Sequence, residues 1–297
     1  MNDNIRKAQQ ILKIPVTGII DNLTEAAIKN LQLSHDLIGT GNLDQETLRL
    51  LDLSDDTITT DLTEMHTFHM DAPIFSTYLL KKGEYFEDET KKEYIFLHHT
   101  AGWNNPYQVI DSWSNDTRGK IATEFVVGGI NFKNNDLTYN GMALKCFPKN
   151  NHAYHLGGAP INGKMHQGSV GIEICNFGWV SLQEKKFLTY TGAEMPASHV
   201  VRLKSKFRGY EYYHKYTEKQ IAKVEQLIKY ESALHGIDSS IGLPTMIKKF
   251  GAKAFDKYDD IVAGKVKGIL SHTNVRSDKT DLSPQPDMME MLLKFSK

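Results

Sequence analysis

The chain has 297 residues, of which 40% are hydrophobic and 24% charged, with 22 glycines and 9 prolines, so a disordered or collagen-like chain is excluded. A formal net charge of −1 gives no global attraction to nucleic acid or an anionic membrane, and no apolar stretch approaches a membrane span. The length suits one large domain and a small one, and the two cysteines, Cys146 and Cys175, lack metal or redox spacing and are expected as buried thiols.

In chain order, "MNDNIRKAQQILKIPVTG" shows no basic stretch followed by an apolar signal core, so synthesis in the cytoplasm without a signal peptide is expected. An internal echo follows. "GIIDNLTEAAIKNLQ" from Gly18 and "GNLDQETLRLL" from Gly41 share G-x-x-D-x-x-T, 23 residues apart. Glycine makes the turn, and Asp21 or Thr24, and Asp44 in the second copy, offer an oxygen to the free N–H groups of a helix start. Apolar residues recur at helical spacing at Ile5, Ala8, Ile11 and Leu12, then Ala27, Ile28 and Leu31, then Leu48, Leu50 and Leu51. The pattern predicts a three-helix unit over residues 1–54.

Residues 55–90 are polar and acidic around the apolar "APIFSTYLL", and are expected as a linker that partly packs. Strand-like and helix-like segments then alternate. "YIFLHH", "EFVVGGI" and "VGIEICNF" read as strands, and Thr217 to His235 as a helix opened by the capping box "TEKQ". This alternation makes residues 91–297 an α/β domain. Residues 181–215, rich in Lys, Arg and Tyr, are expected as an inserted loop that either borders a groove or runs over the surface.

Twelve histidines mean little by themselves, because a lone histidine is ordinarily a satisfied core or surface residue. Position separates them. A strand ending at His98 puts Tyr94, Phe96 and His98 on one face and Ile95, Leu97 and His99 on the other. A second cluster, "ILSHTNVRSDKTDLSPQP", carries His272, Lys279 and Asp281. Two imidazoles and a carboxylate form a ligand set for catalytic zinc, but this spacing has no specificity of its own.

Resemblance adds what spacing lacks. Residues 4–53 resemble the peptidoglycan-binding module of wall hydrolases. The segments "FLHHTAG", "FVVGG", "AYHLGG", "SVGIEICN", "YTEKQI" and "SHTNVRSDKTDLSP" resemble, in that order, the zinc-dependent N-acetylmuramoyl-L-alanine amidases, whose fold peptidoglycan recognition proteins share. The resemblance implies a mixed central sheet flanked by helices, and one zinc ion bound by His98, His272 and Asp281. It also implies Glu173 as catalytic base and Lys279 beside the developing oxyanion. His155 in "AYHLGG" would line the substrate groove, and His99 would serve packing or a supporting hydrogen bond. Where some relatives carry a catalytic tyrosine followed by histidine, this chain has Thr123 and Glu124, which makes Glu124 a second acid/base candidate and both residues candidate substrate contacts. His66, His69 and His152 are given no role.

The implied function is hydrolysis of the bond between the lactyl group of N-acetylmuramic acid and L-alanine. The implied partner is peptidoglycan, with no nucleic acid and no membrane, and the protein is expected as a monomer. Without a signal peptide it would be an endolysin of phage or prophage type, released by holin-type lysis, or a lysis enzyme exported by other means. Two rivals remain. A non-catalytic recognition protein would lack the third ligand, whereas Asp281 is present, and a different wall peptidase would show "S-x-H-x-x-G-x-A-x-D", which is not found.

Overall fold

The computed structural model describes residues 2–35, 41–43, 45–53, 74–157 and 163–296, so Asp44, His66, His69 and most of the expected linker lie outside the described residues. The chain divides into two compact units, Met1–Thr77 and Tyr78–Lys297.

In the first unit, helices α1 (Asn2–Ile11), α2 (Asn22–Ser34) and α3 (Gln45–Leu50) bury Ile5, Ala8, Ile28 and Leu51, while Ile11 is left exposed. The echo in the sequence becomes a repeated knot of hydrogen bonds. The buried Gln9 amide accepts from Gly18 N–H (2.8 Å) and donates to Thr17 Oγ1 (2.8 Å), Ile19 O (2.9 Å) and Thr24 Oγ1 (2.9 Å). Gln32 repeats this, accepting from Gly41 N–H (2.8 Å) and donating to Asn42 O (2.9 Å) and Thr47 Oγ1 (2.7 Å). Gly18 and Gly41 both stand at positive φ, +75° and +72°, where a side chain is strained. Asp21 Oδ1 accepts from Thr24 N–H (2.8 Å), as a helix cap should. A two-residue strand, β1 (Ser76–Thr77), closes this unit's span.

The second unit begins with β2 (Tyr94–His99) and α4 (Pro106–Trp113), continues through β3 (Phe125–Val127), β4 (Ala143–Lys145), the short α5 (Lys164–Gln167) and β5 (Ser169–Ile174), and then forms β6 (Trp179–Gln183), β7 (Lys186–Thr189), β8 (Glu194–Met195), β9 (Val200–Phe207) and β10 (Tyr210–His214). After these come α6 (Glu218–His235), α7 (Leu243–Phe250), α8 (Asp259–Val262), β11 (Gly268–Ser271), α9 (His272–Val275) and α10 (Pro286–Leu293). Within this unit the main sheet runs β4-β3-β5-β2-β11, parallel except for β4. All six residues of β2 are buried, as a strand covered on both faces requires. Phe96, Leu156, Met165, Leu270 and Val275 form one core, and Ile110, Val126 and Leu144 another. Helix α6 packs on β3 and β5 and starts at the expected capping box, with Gln220 N–H donating to Thr217 Oγ1 (3.1 Å) and Thr217 N–H to Gln220 Oε1 (3.1 Å).

The inserted segment is not a loop. Strands β8-β7-β6-β10-β9 make a second, antiparallel sheet around Phe132, Phe177, Val180 and Met195. In β9, Leu203 and Phe207 are buried while Arg202, Lys204 and Lys206 point to solvent, the half-buried alternation of a sheet with one wet face. Its charge conceals that alternation in the sequence. No helix among the described residues is long and apolar enough to cross a membrane.

Candidate metal centre

Parallel pairing of β11 with β2 sets Ser271 beside Leu97, so His98 and His272 follow at the adjacent ends of two neighbouring strands. The turn after β11 is held by Asn274, whose Oδ1 accepts from Ser271 N–H (2.9 Å) and whose Nδ2 donates to Ala254 O (2.8 Å) and Asp256 O (2.9 Å). The following loop returns when Thr273 N–H donates to Asp281 O (3.0 Å). Three donor atoms then converge: His98 Nδ1 and His272 Nδ1 are 3.3 Å apart, and Asp281 Oδ2 lies 3.2 Å and 2.9 Å from them. All three residues are buried. Tetrahedral zinc with bonds of about 2.0–2.1 Å has ligand–ligand edges of about 3.3 Å, so the triangle fits such an ion.

The protonation around the triangle fits as well. His272 Nε2–H donates to Leu156 O (2.7 Å), which leaves Nδ1 bare in the neutral ring. With His98 Nδ1 turned inward, its Nε2–H donates to His155 Nδ1 (2.9 Å), His155 Nε2–H to Ser169 Oγ (2.7 Å), and Ser169 O–H to Met165 O (2.5 Å). Every proton in this chain points away from the triangle. Burial lowers the His98 pKa to about 4, against the attraction that the Asp281 carboxylate would exert on a protonated ring, so its ring is neutral at pH 7. Burial by itself would raise the Asp281 carboxyl, but His272 and His98 hold it below the ordinary range and therefore ionised. Neutral imidazole and ionised carboxylate are the states that bind metal.

Glu173 pairs in register with His98 across β2 and β5, which puts its side chain on the same face of the sheet. Burial raises its pKa well above the carboxylate range, the Asp281 charge adds to the rise, and Lys279 opposes it. Lys279 and Asp281 line a groove of about 650 Å³ together with His99, Trp179, Arg208 and Tyr210. His99 Nδ1 shares a hydrogen bond with Tyr216 Oη (3.0 Å). His155, expected on a substrate groove, has both ring nitrogens engaged within the protein. Thr123 is buried, donates its hydroxyl to Phe125 O (2.9 Å), and packs on Gly171, where a Cβ would come within 2.9 Å of Thr123 Cγ2 and 3.3 Å of His155 Nδ1.

Glu124 does not join this group. Its buried carboxylate lies 3.6 Å from Lys145 Nζ. Its pKa is pushed up to about 8 by burial and by the charge of Glu231 on α6, with Lys145 and Lys92 opposing. His152 stacks on Phe86 at 4.7 Å. Ser169, Trp179, Arg208 and Tyr210 escaped sequence reasoning, although the "FRGY" turn holding two of them lies in the segment already noted for its cations and tyrosines.

A family model described as a putative peptidoglycan binding domain matches residues 2–51, and one described as N-acetylmuramoyl-L-alanine amidase matches residues 88–284. No curated protein matches the chain by sequence. Among solved structures, that of PlyL is similar at 12% identity and a TM-score of 0.40, over 74% of this chain and 96% of its own. The E. coli amidase AmiD, in complex with anhydro-N-acetylmuramic acid-L-Ala-D-γ-Glu-L-Lys, is similar at 16% identity and a TM-score of 0.32, over 52% of this chain and 48% of its own. The amidase match spans well over half of the sequence and contains the triangle, Glu173 and Lys279; the chain belongs to the N-acetylmuramoyl-L-alanine amidase family and is a peptidoglycan hydrolase with an N-terminal peptidoglycan-binding domain.

Proposed function

We propose that one zinc ion, held by His98, His272 and Asp281, serves the hydrolysis, with Glu173 as base and Lys279 as oxyanion partner. The observation that carries this reading is the convergence of three metal-competent donor atoms, of which the Asp281 carboxylate belongs to a residue that also lines the groove. When bound, the ion supplies Lewis acidity to the attacking water and the scissile carbonyl. The Glu173 carboxylate takes the proton from that water and delivers it to the leaving nitrogen of L-alanine. Its place in register with His98, on the same face of the sheet, sets it beside the donor atoms where that proton is exchanged. The Lys279 ammonium meets the negative charge that grows on the carbonyl oxygen. His155 and Ser169 orient the His98 ring instead of touching substrate, and Glu124 has no part in the chemistry.

Residues 1–54 would hold the enzyme on the wall, residues 55–90 link the two parts, and residues 91–297 carry the catalytic domain, an arrangement that raises the local concentration of bonds to cut. A wall-binding module joined to an amidase suits an endolysin acting as a monomer, released to the wall by holin-type lysis. Metal analysis with turbidity loss of purified cell walls tests the centre. We expect about one zinc per chain, and His272→Ala should lose the metal and at least about 100-fold of the clearing rate. Clearing by His272→Ala at the wild-type rate would overturn the assignment.

A further inference from the structure

The antiparallel sheet contributes nothing to the metal triangle, yet one end of it forms a wall of the same groove. Strands β6 and β10 are neighbours, and Trp179 and Tyr210 stack face to face with ring centroids 4.1 Å apart and planes 9° apart. Between β9 and β10 the chain reverses through Arg208 and Gly209, both at positive φ, +50° and +89°. This turn sends the Arg208 side chain out of its own sheet. Its Nη2 donates to Thr273 O (3.2 Å), and Thr273 follows the metal ligand His272 directly. The guanidinium therefore sits one residue's backbone away from the triangle.

Most of the donor capacity of Arg208 is unused. A guanidinium carries five N–H donors in a rigid fork and stays charged at any working pH. Arg208 Nε is buried and has no acceptor among the described residues. Asp278, an acid on the same groove, is already taken by Arg276, whose Nε (2.9 Å) and Nη2 (2.5 Å) grip both of its oxygens. A cation with a buried, unanswered donor beside a flat aromatic pair describes a receptor for a planar anion with an apolar body.

Resting on the amidase reading, we infer that Arg208, with Trp179 and Tyr210, forms a subsite for the stem peptide that recognises the α-carboxylate of its second residue. In peptidoglycan that residue is a glutamate linked through its γ-carboxyl, so the α-carboxyl is left free or, in some walls, amidated. It lies about two residues, or about 7 Å, from the bond to be cut. The fork pairs with the carboxylate, and the stacked rings cover the glutamate methylenes and the alanine methyl. The subsite therefore selects walls with a free carboxylate over amidated ones.

The test uses the full-length, metal-loaded protein and two soluble probes, N-acetylmuramoyl-L-Ala-D-γ-Glu-L-Lys and the same compound with an α-carboxamide. Wild type should favour the acid, and Arg208→Ala should raise KM for the acid about 10- to 100-fold more than KM for the amide, erasing the preference between the two probes. Arg208→Lys, which keeps a charge and a donor for Thr273 O but loses the fork, should recover only part of the loss. Metal content and melting temperature of each variant separate local damage from lost recognition. Equal losses on both probes, or a wild type indifferent to the amide, would overturn the inference. Calorimetric binding of the free tripeptide L-Ala-D-γ-Glu-L-Lys and its amide needs no turnover. Arg208-dependent binding of the acid by a protein that cleaves neither muramyl probe would keep the subsite and sink the zinc-amidase mechanism, whereas cleavage without discrimination would do the reverse.

Discussion

His98 and His99 are adjacent, both buried, and equivalent to any rule of alternation, which says only that they face opposite ways. What separates them is register: β5 lays Glu173 beside His98, and β11 delivers His272 next to it, whereas His99 meets Tyr216. The resemblance to amidases singles out His98 from sequence, but the part played by His155 is illegible there, because it depends on Ser169, 14 residues further on, and on a carbonyl at Met165. A histidine that accepts from one ring and donates to a hydroxyl is a positioning residue, and it should act on metal affinity. We expect His155→Ala to weaken zinc binding about 10- to 100-fold in a chelator competition. Reloading with excess zinc should then restore most of kcat, and an unchanged affinity would remove His155 from the metal's support.

At the scale of elements, what was readable is what repeats or alternates without interference. The G-x-x-D-x-x-T echo announced two turns into helices, and the capping box announced the start of α6. The repeat also holds a glutamine nine residues before each glycine, and this marks the buried Gln9 and Gln32 that tie the turns together. The inserted sheet was missed because its wet face is loaded with lysine and arginine, which reads as loop. Glu124 shows a carboxylate used by the packing between β3 and α6, and it has a consequence for stability. Burial pushes its folded pKa up to about 8, above the ordinary glutamate value of 4.5, so the native state keeps a proton that the unfolded chain releases between those values. Its contribution is complete below pH 4.5 and is lost as the pH rises toward about 8. Lys92, lowered by burial from 10.5 to about 8, is largely protonated in both states below about pH 7 and leaves the sign unchanged there. Glu124→Gln, which carries no such proton, should therefore show a flatter melting-temperature profile between pH 5 and 8, as read by calorimetry. Parallel profiles for variant and wild type would assign the slope to other groups.

In the molecule as a whole, one compact unit contains the match to a peptidoglycan-binding domain and the other the match to an amidase, and we propose that the first holds the wall that the second cuts. Deleting residues 2–51 should leave cleavage of a soluble muramyl peptide within about twofold and slow the clearing of whole walls about 10- to 100-fold, because only the polymer offers the module something to hold. Equal rates on walls would deny the module that role. Each unit carries its own motif set in the sequence, the echo in the first and the histidine and KTD segments in the second. The spatial union of His98 with Asp281, 183 residues later, was legible only through resemblance, since nothing local in either segment points to the other. That separation has a consequence for synthesis. Of the three converging donor atoms, the one on Asp281 is the last to be synthesised. A nascent chain, or the product of a premature stop before Asp281, therefore lacks the carboxylate of the triangle, and under the proposed zinc mechanism it should leave the wall uncut.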